Sequence, residues 1–565
     1  MTSHLHVQFI ADYLHKRGIH HVVICPGSRS APFVIALNEY PTIKKYVIAD
    51  ERSAAYIALG MVQQMRKPAA VICTSGTAAL NLAPAICEAY YQSLPLIAIT
   101  ADRPENLLDN GDNQTIDQRN IFESFVGCFI SFQPMKSAND FDQILPIMDG
   151  CVYPINKQPS FPMHWNVHIP EPLYDVAGEE LPFYELNDIN NDHLFDLSDG
   201  WEVLKKEWQQ AKKIMLICGY AEFSPKELLL LKDLSKQQNI VFISEHASNI
   251  PFHQKAPWNT DAMFSLMAVD EEKDYVPDLV VTFGRHILSK KLKQFLRKNK
   301  PKFHIHLSPQ GETWNQFLME KNFHHCNRSY EIFFSQLPFS FQADANFKIR
   351  WGNLRLKAEQ LTLQFNHKAV FSDLKVYETI FTQIPTSTNL QLGNSTPVRY
   401  AQFFPLPKNT KVNANRGTSG IDGCLSTAVG AALVNKRFTV AIVGDISFFY
   451  DSNALWNNHL SPNLRIIVIN NGGGNIFRLI DGPDTVKGFE NYFETQHQLS
   501  AKHLAEMFGL HYYICKTQKQ LEDALPDFFQ PKKKAAILEV KTNNETSAAV
   551  YKQYFSFLKQ QNSKA

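Results

Sequence analysis

Residues 444–473 read GDISFFYDSNALWNNHLSPNLRIIVINNGG. An apolar run at 439–443 ends in Gly444-Asp445, a helix-like segment follows, and a second apolar run at 464–469 ends in Asn470-Asn471-Gly472-Gly473. Each half puts an oxygen-bearing side chain and a Gly turn just past the C-terminal end of an expected parallel strand. That is the edge of an open α/β sheet at which ligands bind. An Asp carboxylate, an Asn amide oxygen and a free backbone carbonyl in a Gly-rich turn suit a hard cation such as Mg²⁺, which shares its coordination with phosphates. Gly, Asp and Asn are also ordinary turn residues, so the two dipeptides alone leave two plain βα turns as an open reading.

At 565 residues the chain exceeds what one core holds, and three or four domains are expected. A hydrophobic content of 44% with 20% charged residues is that of a globular protein. The net charge of +1 gives no bulk attraction to nucleic acid or to an anionic membrane, and neither is expected as a partner. Basic runs at 290–302 and 532–534 read as a solvated helix face and a turn. Nine cysteines with no CxxC pair argue against a disulfide framework and for a reducing, cytoplasmic setting. His324-His325-Cys326 is not read as a metal site, because adjacent side chains on an extended segment face opposite ways. The opening MTSHLHVQFIADYL lacks a basic region followed by an apolar core, so no signal peptide is expected. The most apolar window, 69–101, is interrupted by Gly76, Pro84, Glu88 and Pro95, and reads as strand–helix–strand in a buried sheet.

Three blocks separate along the chain. In the first, β-rich runs at 21–25, 46–49, 70–73 and 96–100 alternate with helical patterns, which predicts a parallel sheet with crossover helices. It closes near 166–174, and the acidic, aperiodic stretch 175–195 reads as a linker. The second block has strands at 214–218, 240–244, 279–283 and 303–307. Residues 346–367 lead into the third, with strands at 390–392, 411–413, 439–443, 464–469 and 535–540. Sliding the first block over the third by about 370 positions places ERSAAYIALGMVQQMRKPAAVIC (51–73) on IDGCLSTAVGAALVNKRFTVAIV (421–443). Both are a small-residue helix with a Gly, a basic turn and a buried strand. An internal duplication is expected, although generic α/β patterning gives the same effect.

Gly-Asp followed by Asn-Asn in this order resembles the fingerprint of thiamine-diphosphate enzymes, departing from it at Ile446, where that family has Gly. The likeness goes further. CPGSRSAP (25–32), DERSAAYIALG (50–60), TSGTA (74–78), ITADRP (99–104), GNSTPVR (393–399), NRGTSGIDG (415–423), GDIS (444–447) and NNGGGNIF (470–477) occur in order. Together they resemble the 2-succinyl-5-enolpyruvyl-6-hydroxy-3-cyclohexene-1-carboxylate (SEPHCHC) synthases of menaquinone biosynthesis. The middle block matches loosely. The resemblance implies the α/β thiamine-diphosphate-binding fold, with parallel sheets flanked by helices: a pyrimidine-binding domain at 1–180, a central domain at 190–345 and a diphosphate-binding domain at 346–565.

The implied activity is that of a transferase. With thiamine diphosphate and Mg²⁺ or Mn²⁺ it would decarboxylate 2-oxoglutarate and add the resulting carbanion to isochorismate in a 1,4 sense. Glu51 opens the small-residue helix, where the helix dipole favours a carboxylate, and the resemblance implies it as the catalytic partner of the aminopyrimidine ring. Ile421 would wedge the cofactor into its bent shape, and Asp445, Asn471 and Gly473 would hold the metal. Ser395, Ile446, Ser447, Asn475 and Ile476 are implied as cofactor neighbours. Both substrates are dicarboxylates and call for fixed cations, for which the planar Arg fork is suited; Arg29, Arg103, Arg399, Arg416 and Lys290 are the motif-borne choices. Ser28, Ser30, Asn113, Gln114, Asn394, Ser395, Ile476 and Phe477 are implied polar or apolar companions, while Gln118 also reads as structural. The cofactor would lie between the first domain of one subunit and the third of another, in a homodimer or homotetramer. Two other readings stay open. A different thiamine-diphosphate decarboxylase or carboligase would bring a catalytic His or an FAD site, and His20-His21 precedes the first strand and reads as structural. A nucleotide-binding α/β protein would bring a GxGxxG after a strand or a GxxxxGK[ST] loop, and neither occurs.

Overall fold

A computed structural model describes residues 2–562 apart from 109, 136, 153–160, 177–180, 187–200, 256–257, 269, 310, 338–342 and 481. Central strands rich in Val, Ile, Leu and Ala and buried on both faces build three parallel sheets, as crossover helices on either side require. The first sheet holds β1 (His21–Ile24), β2 (Lys44–Val47), β3 (Ala69–Cys73), β4 (Leu96–Asp102), β5 (Cys128–Phe132) and β6 (Met163–His168), in the order β2-β1-β3-β4-β6-β5. The second holds β7 (Ile214–Cys218), β8 (Ile240–Ser244), β9 (Leu279–Phe283), β10 (Phe303–Leu307) and β11 (Phe323–Cys326), in the order β11-β10-β9-β7-β8. The third holds β12 (Asn389–Leu392), β13 (Lys411–Asn413), β14 (Thr439–Gly444), β15 (Leu464–Asn470), β16 (His511–Cys515) and β17 (Ala536–Lys541), in the order β13-β12-β14-β15-β17-β16. Counted within each sheet, the first and third orders are the same, and β3 and β14 occupy equivalent places. The sequence overlay therefore matches topology as well as pattern.

Four strands escape the sequence reading: β5, β6, β11 and β16. Strand β6 carries His164 and Asn166 fully buried, because the Thr100 hydroxyl on β4 lies 2.8 Å from His164 Nε2 and donates to Asn166 Oδ1 at 2.7 Å. Part of the expected linker is not loose. Tyr184 is buried against Phe9, with ring centroids 4.8 Å apart, and donates to Asp12 at 2.7 Å. The rest of the linker (177–180 and 187–195) and the expected boundaries at 180 and 190 lie outside the described residues. One cysteine pair is bonded: Cys128 on β5 and Cys151 on helix Ala138–Val152 lie side by side, Cα atoms 5.8 Å apart, and the other seven form no disulfide. This single bridge does not make a disulfide framework, the arrangement that the sequence argued against. His324-His325-Cys326 lies in β11, and among the described residues no three His, Cys, Asp or Glu side chains gather as a metal site. No described helix is long and apolar enough to cross a membrane.

The cores join the sheets. One apolar cluster runs from Met215 and Val280 of the second sheet to Leu538 and Tyr554 near the C-terminus. Another runs from Val71 and Ala98 of the first sheet to Leu425, Val443 and Ile466 of the third. At the heart of the latter, helix Glu51–Met65 crosses helix Cys424–Val434 with backbones in contact. A Cβ on Gly60 would lie 2.0 Å from the Thr427 carbonyl oxygen, and one on Gly430 would lie 1.9 Å from that of Ile57. In a solvated helix, Gly to Ala gains about 1 kcal/mol. Here the steric term wins, and we expect Gly430→Ala to destabilise the protein by about 1–3 kcal/mol as overpacking does. Thermal melting reads this directly; a variant as stable as the parent would show that the helices do not touch.

Candidate active site

The C-terminal edge of the third sheet gathers the metal-ligand candidates. Asp445 follows β14, opens helix Asp445–Tyr450 and is buried. Its Oδ2 accepts the backbone N–H groups of Gly472 at 2.8 Å and Gly473 at 3.1 Å, and its Oδ1 accepts that of Ile446 at 2.7 Å. The turn after β15 is thus tied to the turn after β14. Gly472 has φ +86°, and a Cβ on Gly473 would lie 2.7 Å from the Glu494 carbonyl oxygen, so this turn takes glycine at both places. Ile446, where the family fingerprint has Gly, is half-buried and takes part through its backbone N–H. Asn470 turns to Glu539 at 2.6 Å, whereas Asn471 turns its amide nitrogen to Asp373 at 2.9 Å. The Oδ1 atoms of Asn471 and Asn475 are both buried without a hydrogen-bond partner. Leaving such an atom unmet costs about 1–3 kcal/mol, so two in one turn mark a place built for an electropositive group. A carboxylate, an amide oxygen and a turn carbonyl form a hard-cation donor set; these residues fit a divalent cation with a diphosphate. His497, which the sequence did not single out, sits with Nε2 3.4 Å from Asp445 Oδ2.

Two further turns meet beside this one. Ser447 donates through its hydroxyl to the Ile421 carbonyl at 2.8 Å, so these two cofactor candidates are adjacent. Asn394 spends its amide nitrogen on the Asn415 and Gly420 carbonyls, each at 2.6 Å, and its oxygen accepts from Arg416 at 3.0 Å. Ser395 stands at φ +73° without being glycine, and its carbonyl accepts from Arg399. Backbone held in so sparse a region costs of order 1–3 kcal/mol and clusters at functional sites. From helix Ala83–Gln92 of the first block, buried Glu88 accepts Gly417 N–H at 2.7 Å and both the N–H and the hydroxyl of Thr418 at 2.6 Å. The loop that carries Arg416 is therefore pinned by an acid that the sequence showed only as a charge inside an apolar window. Ile476 and Phe477 are half-buried in the short helix Ile476–Leu479, with Phe477 edge-on to Phe493 at 5.8 Å.

At the first sheet, Ser28 is exposed and Ser30 donates to the Gly27 carbonyl at 3.0 Å. Arg29 is buried and donates to the Ile169 carbonyl at 2.8 Å and to Glu171 at 3.0 Å. Burial and the nearby Arg103 lower its pKa. Arg103 donates twice to the Asn113 carbonyl, at 3.0 and 2.7 Å, and Gln114 follows at φ +54°. Gln118 is structural: it accepts Gly76 N–H at 2.9 Å and donates to Asn166 at 2.8 Å. Arg416 is lowered by burial, opposed by Glu245, with Arg399 also acting on it. The arginines therefore form two pairs, one per sheet. Lys290 is exposed at the first turn of helix Lys290–Lys298, while Lys293 turns inward, its pKa lowered by burial with Arg297, Arg416 and Arg399 contributing. The basic run is thus a solvated face only in part. Glu245 accepts the N–H groups of Leu288 at 2.7 Å and Ser289 at 2.8 Å just before that helix, and burial pushes its carboxyl up to about 7.

Glu51 is half-buried at the start of its helix, which Asp50 caps by accepting from Arg52 and Ser53. Asp50 also accepts from Asn453 at 2.7 Å, and Arg52 donates to the Tyr450 carbonyl at 3.0 Å. Within one chain the Glu51 helix is thereby bound to the segment that follows Asp445. Tyr56, farther along it, donates to Asp422 at 2.9 Å, beside Ile421.

Residues 6–121 match the model of the thiamine pyrophosphate enzyme N-terminal TPP binding domain, and residues 393–540 that of the C-terminal TPP binding domain. The chain is 36% identical over 556 residues to the 2-succinyl-5-enolpyruvyl-6-hydroxy-3-cyclohexene-1-carboxylate synthase of Flavobacterium psychrophilum, covering 98% of each chain. It is 36% identical over 558 residues to the enzyme of that name in Flavobacterium johnsoniae, again 98% of each, and 35% over 560 residues to that of Bacteroides fragilis, 97% of each. The chain belongs to the SEPHCHC synthase family. As a family member with both TPP-binding domains, it is a thiamine-diphosphate enzyme, and the candidate turns described above fall inside or beside those two matched regions.

Asp451 locks this arrangement. It is fully buried, accepts the Ser426 N–H at 2.7 Å and hydroxyl at 2.6 Å, and lies 3.8 Å from Arg52. Burial pushes its carboxyl up to about 7, against about 4 in an unfolded chain. Between those values the folded protein keeps a proton that the unfolded chain has released, so this group's contribution is complete at low pH and lost as pH rises through 7. Glu245 acts with the same sign. We expect Asp451→Asn to flatten the fall in stability across this window, as read by melting at graded pH; a profile superimposable on the parent's would rule this out.

Proposed function

We propose that the chain catalyses the thiamine-diphosphate-dependent decarboxylation of 2-oxoglutarate and the 1,4-addition of the remaining four-carbon unit to isochorismate, yielding SEPHCHC and CO₂ in menaquinone biosynthesis. The observation that carries this reading is near-complete coverage at 36% identity by relatives of that name. The cofactor, when bound, supplies the electron sink that the loss of CO₂ needs. Asp445, Asn471 and the Gly473 carbonyl would hold Mg²⁺ or Mn²⁺ on its diphosphate, supported by the two unmet amide oxygens. Ile446, Ser447, Asn475 and Ile476 would line it. Ile421, held through its carbonyl by Ser447, would press on it from one side, and Ser395 would contact both cofactor and substrate.

Glu51 would hold a proton against the aminopyrimidine ring and pass it back and forth, a role that fits a half-buried carboxylate at a helix start. The two arginine pairs would each bind a dicarboxylate: Arg29 and Arg103 with Ser28, Ser30, Asn113 and Gln114 on one side, Arg399 and Arg416 with Asn394 and Phe477 on the other. Lys290 would reach in from the central domain. We assign 1–180 to the pyrimidine-binding domain, 190–345 to the central domain and 346–565 to the diphosphate-binding domain. Because the pairs lie on different sheets, a site using both fits the interface of a homodimer or homotetramer. A cytoplasmic setting suits its small charged substrates.

The test mixes the protein with 2-oxoglutarate, isochorismate, thiamine diphosphate and Mg²⁺ or Mn²⁺, and follows CO₂ and the coupled product. Absence of both removes the substrate assignment. Glu51→Gln is expected to lower turnover by about 10²–10⁴-fold with little change in melting; undiminished turnover refutes the role of Glu51. Asp445→Ala is expected to abolish cofactor uptake at any practical metal concentration, as equilibrium dialysis with Mn²⁺ would reveal.

A further inference from the structure

Asp373 begins helix Asp373–Gln383 and is fully buried. Its Oδ2 accepts the amide nitrogens of Asn471 at 2.9 Å and Asn475 at 3.3 Å. Its Oδ1 accepts the hydroxyls of Thr542 at 2.6 Å and Ser547 at 3.1 Å, while its own backbone N–H donates to the Ser547 hydroxyl at 3.0 Å. All four donors to the carboxylate are neutral, and among the described residues no cationic side chain pairs with it. A buried carboxylate normally requires a counter-charge as well as hydrogen bonds.

A carboxylate only accepts, so an asparagine facing it must present its NH₂ group. Asn471 and Asn475 both do, and each therefore turns its Oδ1 away from Asp373. Those are the two buried oxygens without a partner. Take the acid away and either amide can rotate half a turn, presenting hydrogens where oxygen is wanted. Thr542 and Ser547 in turn fix the plane of the acid.

From this geometry we infer that Asp373 is the positioning residue of the cofactor clamp. It locks the Asn471 and Asn475 amides oxygen-inward, so that both oxygens face the place of the divalent cation. The inference rests on the reading that Asp445, Asn471 and Gly473 hold that cation. Outer partners that orient a metal ligand typically contribute 10–100-fold to affinity.

The probe is Mn²⁺ with thiamine diphosphate, its free concentration followed by electron paramagnetic resonance. Asp373→Asn keeps the size of the side chain and can still accept the two hydroxyls, but it turns its own NH₂ toward the two asparagines. We expect its Mn²⁺ dissociation constant to rise by about 10–100-fold. In an Asn471→Ala, Asn475→Ala background the same change should add less than about 2-fold, because coupled residues are not additive. Parental Mn²⁺ affinity in Asp373→Asn, even with lowered melting, overturns the inference and leaves Asp373 a core residue. A parent protein that takes up no Mn²⁺ with thiamine diphosphate overturns instead the cofactor-site reading. Should the variant not fold, a crystal structure of the parent with Mn²⁺ and thiamine diphosphate decides. Asn471 Oδ1 on the ion with Nδ2 on Asp373 supports the inference; a reversed amide, or Asp373 itself on the ion, overturns it.

Discussion

The first and third sheets meet because two helix backbones can touch. Gly60 and Gly430 each face a carbonyl of the opposite helix at a distance no Cβ could share, and Ala54, Ala58, Ala428 and Ala431 keep the rest of the seam thin. Close approach has a positional consequence. Glu51 and Ile421 stand the same number of positions ahead of their respective glycines, so the crossing fixes the starts of both segments relative to each other. The Asp50–Asn453, Arg52–Tyr450 and Tyr56–Asp422 hydrogen bonds then register the Glu51 end of the seam. A wider helix separation would shift every one of these partners, whereas small changes on the outer faces would shift none.

Buried acids finish what the glycines begin. Glu88 crosses from the first block to the loop bearing Arg416, Glu245 fixes the approach to helix Lys290–Lys298, and Asp451 grips the start of helix Cys424–Val434. Each takes two or more N–H or O–H donors, which offset part of the desolvation cost that burial imposes. The offset is incomplete for all three: burial raises the Glu88 carboxyl and pushes those of Glu245 and Asp451 up to about 7. Apolar residues of the same volume would pack as well, but they could not hold a loop by its backbone N–H groups. Stability is therefore traded for a defined loop conformation at three places around the site.

What the sequence revealed follows from how local each signal is. Largely apolar runs at 214–218, 240–244 and 279–283 coincide with β7 to β9, because a strand covered on both faces needs no partner to be recognised. Strand β6 stayed hidden because its His and Asn are acceptable only beside Thr100 on a distant segment. Asp445 and Asn471 were legible because each sits in its own turn next to its own strand. Asp373 was not: it lies 98 positions from Asn471 and begins an unremarkable helix. Glu88 left one trace, a lone acid in an apolar window, and that trace pointed away from a membrane rather than toward a site. Lys293 was lost in a basic run whose solvated members outnumber it.

The arginines show how charge selects among ligands once the fold is set. Of Arg29, Arg103, Arg399 and Arg416, only Arg29 lies within 4 Å of a carboxylate among the described residues; the others rest on neutral oxygens of Asn113, Ser395 and Asn394. Burial chiefly, and repulsion from Arg103 and Arg399 after it, lowers the pKa values of Arg29 and Arg416. A chain that needed these side chains only for packing would neutralise them with its own acids, as it does at Arg478 with Glu494. Under the proposed function two such pairs would receive anions that arrive from outside, since a planar guanidinium meets a carboxylate with two parallel hydrogen bonds. A small monocarboxylate could relieve one pair at most. Two dicarboxylates would relieve both, which agrees with the substrates that the family relationship implies.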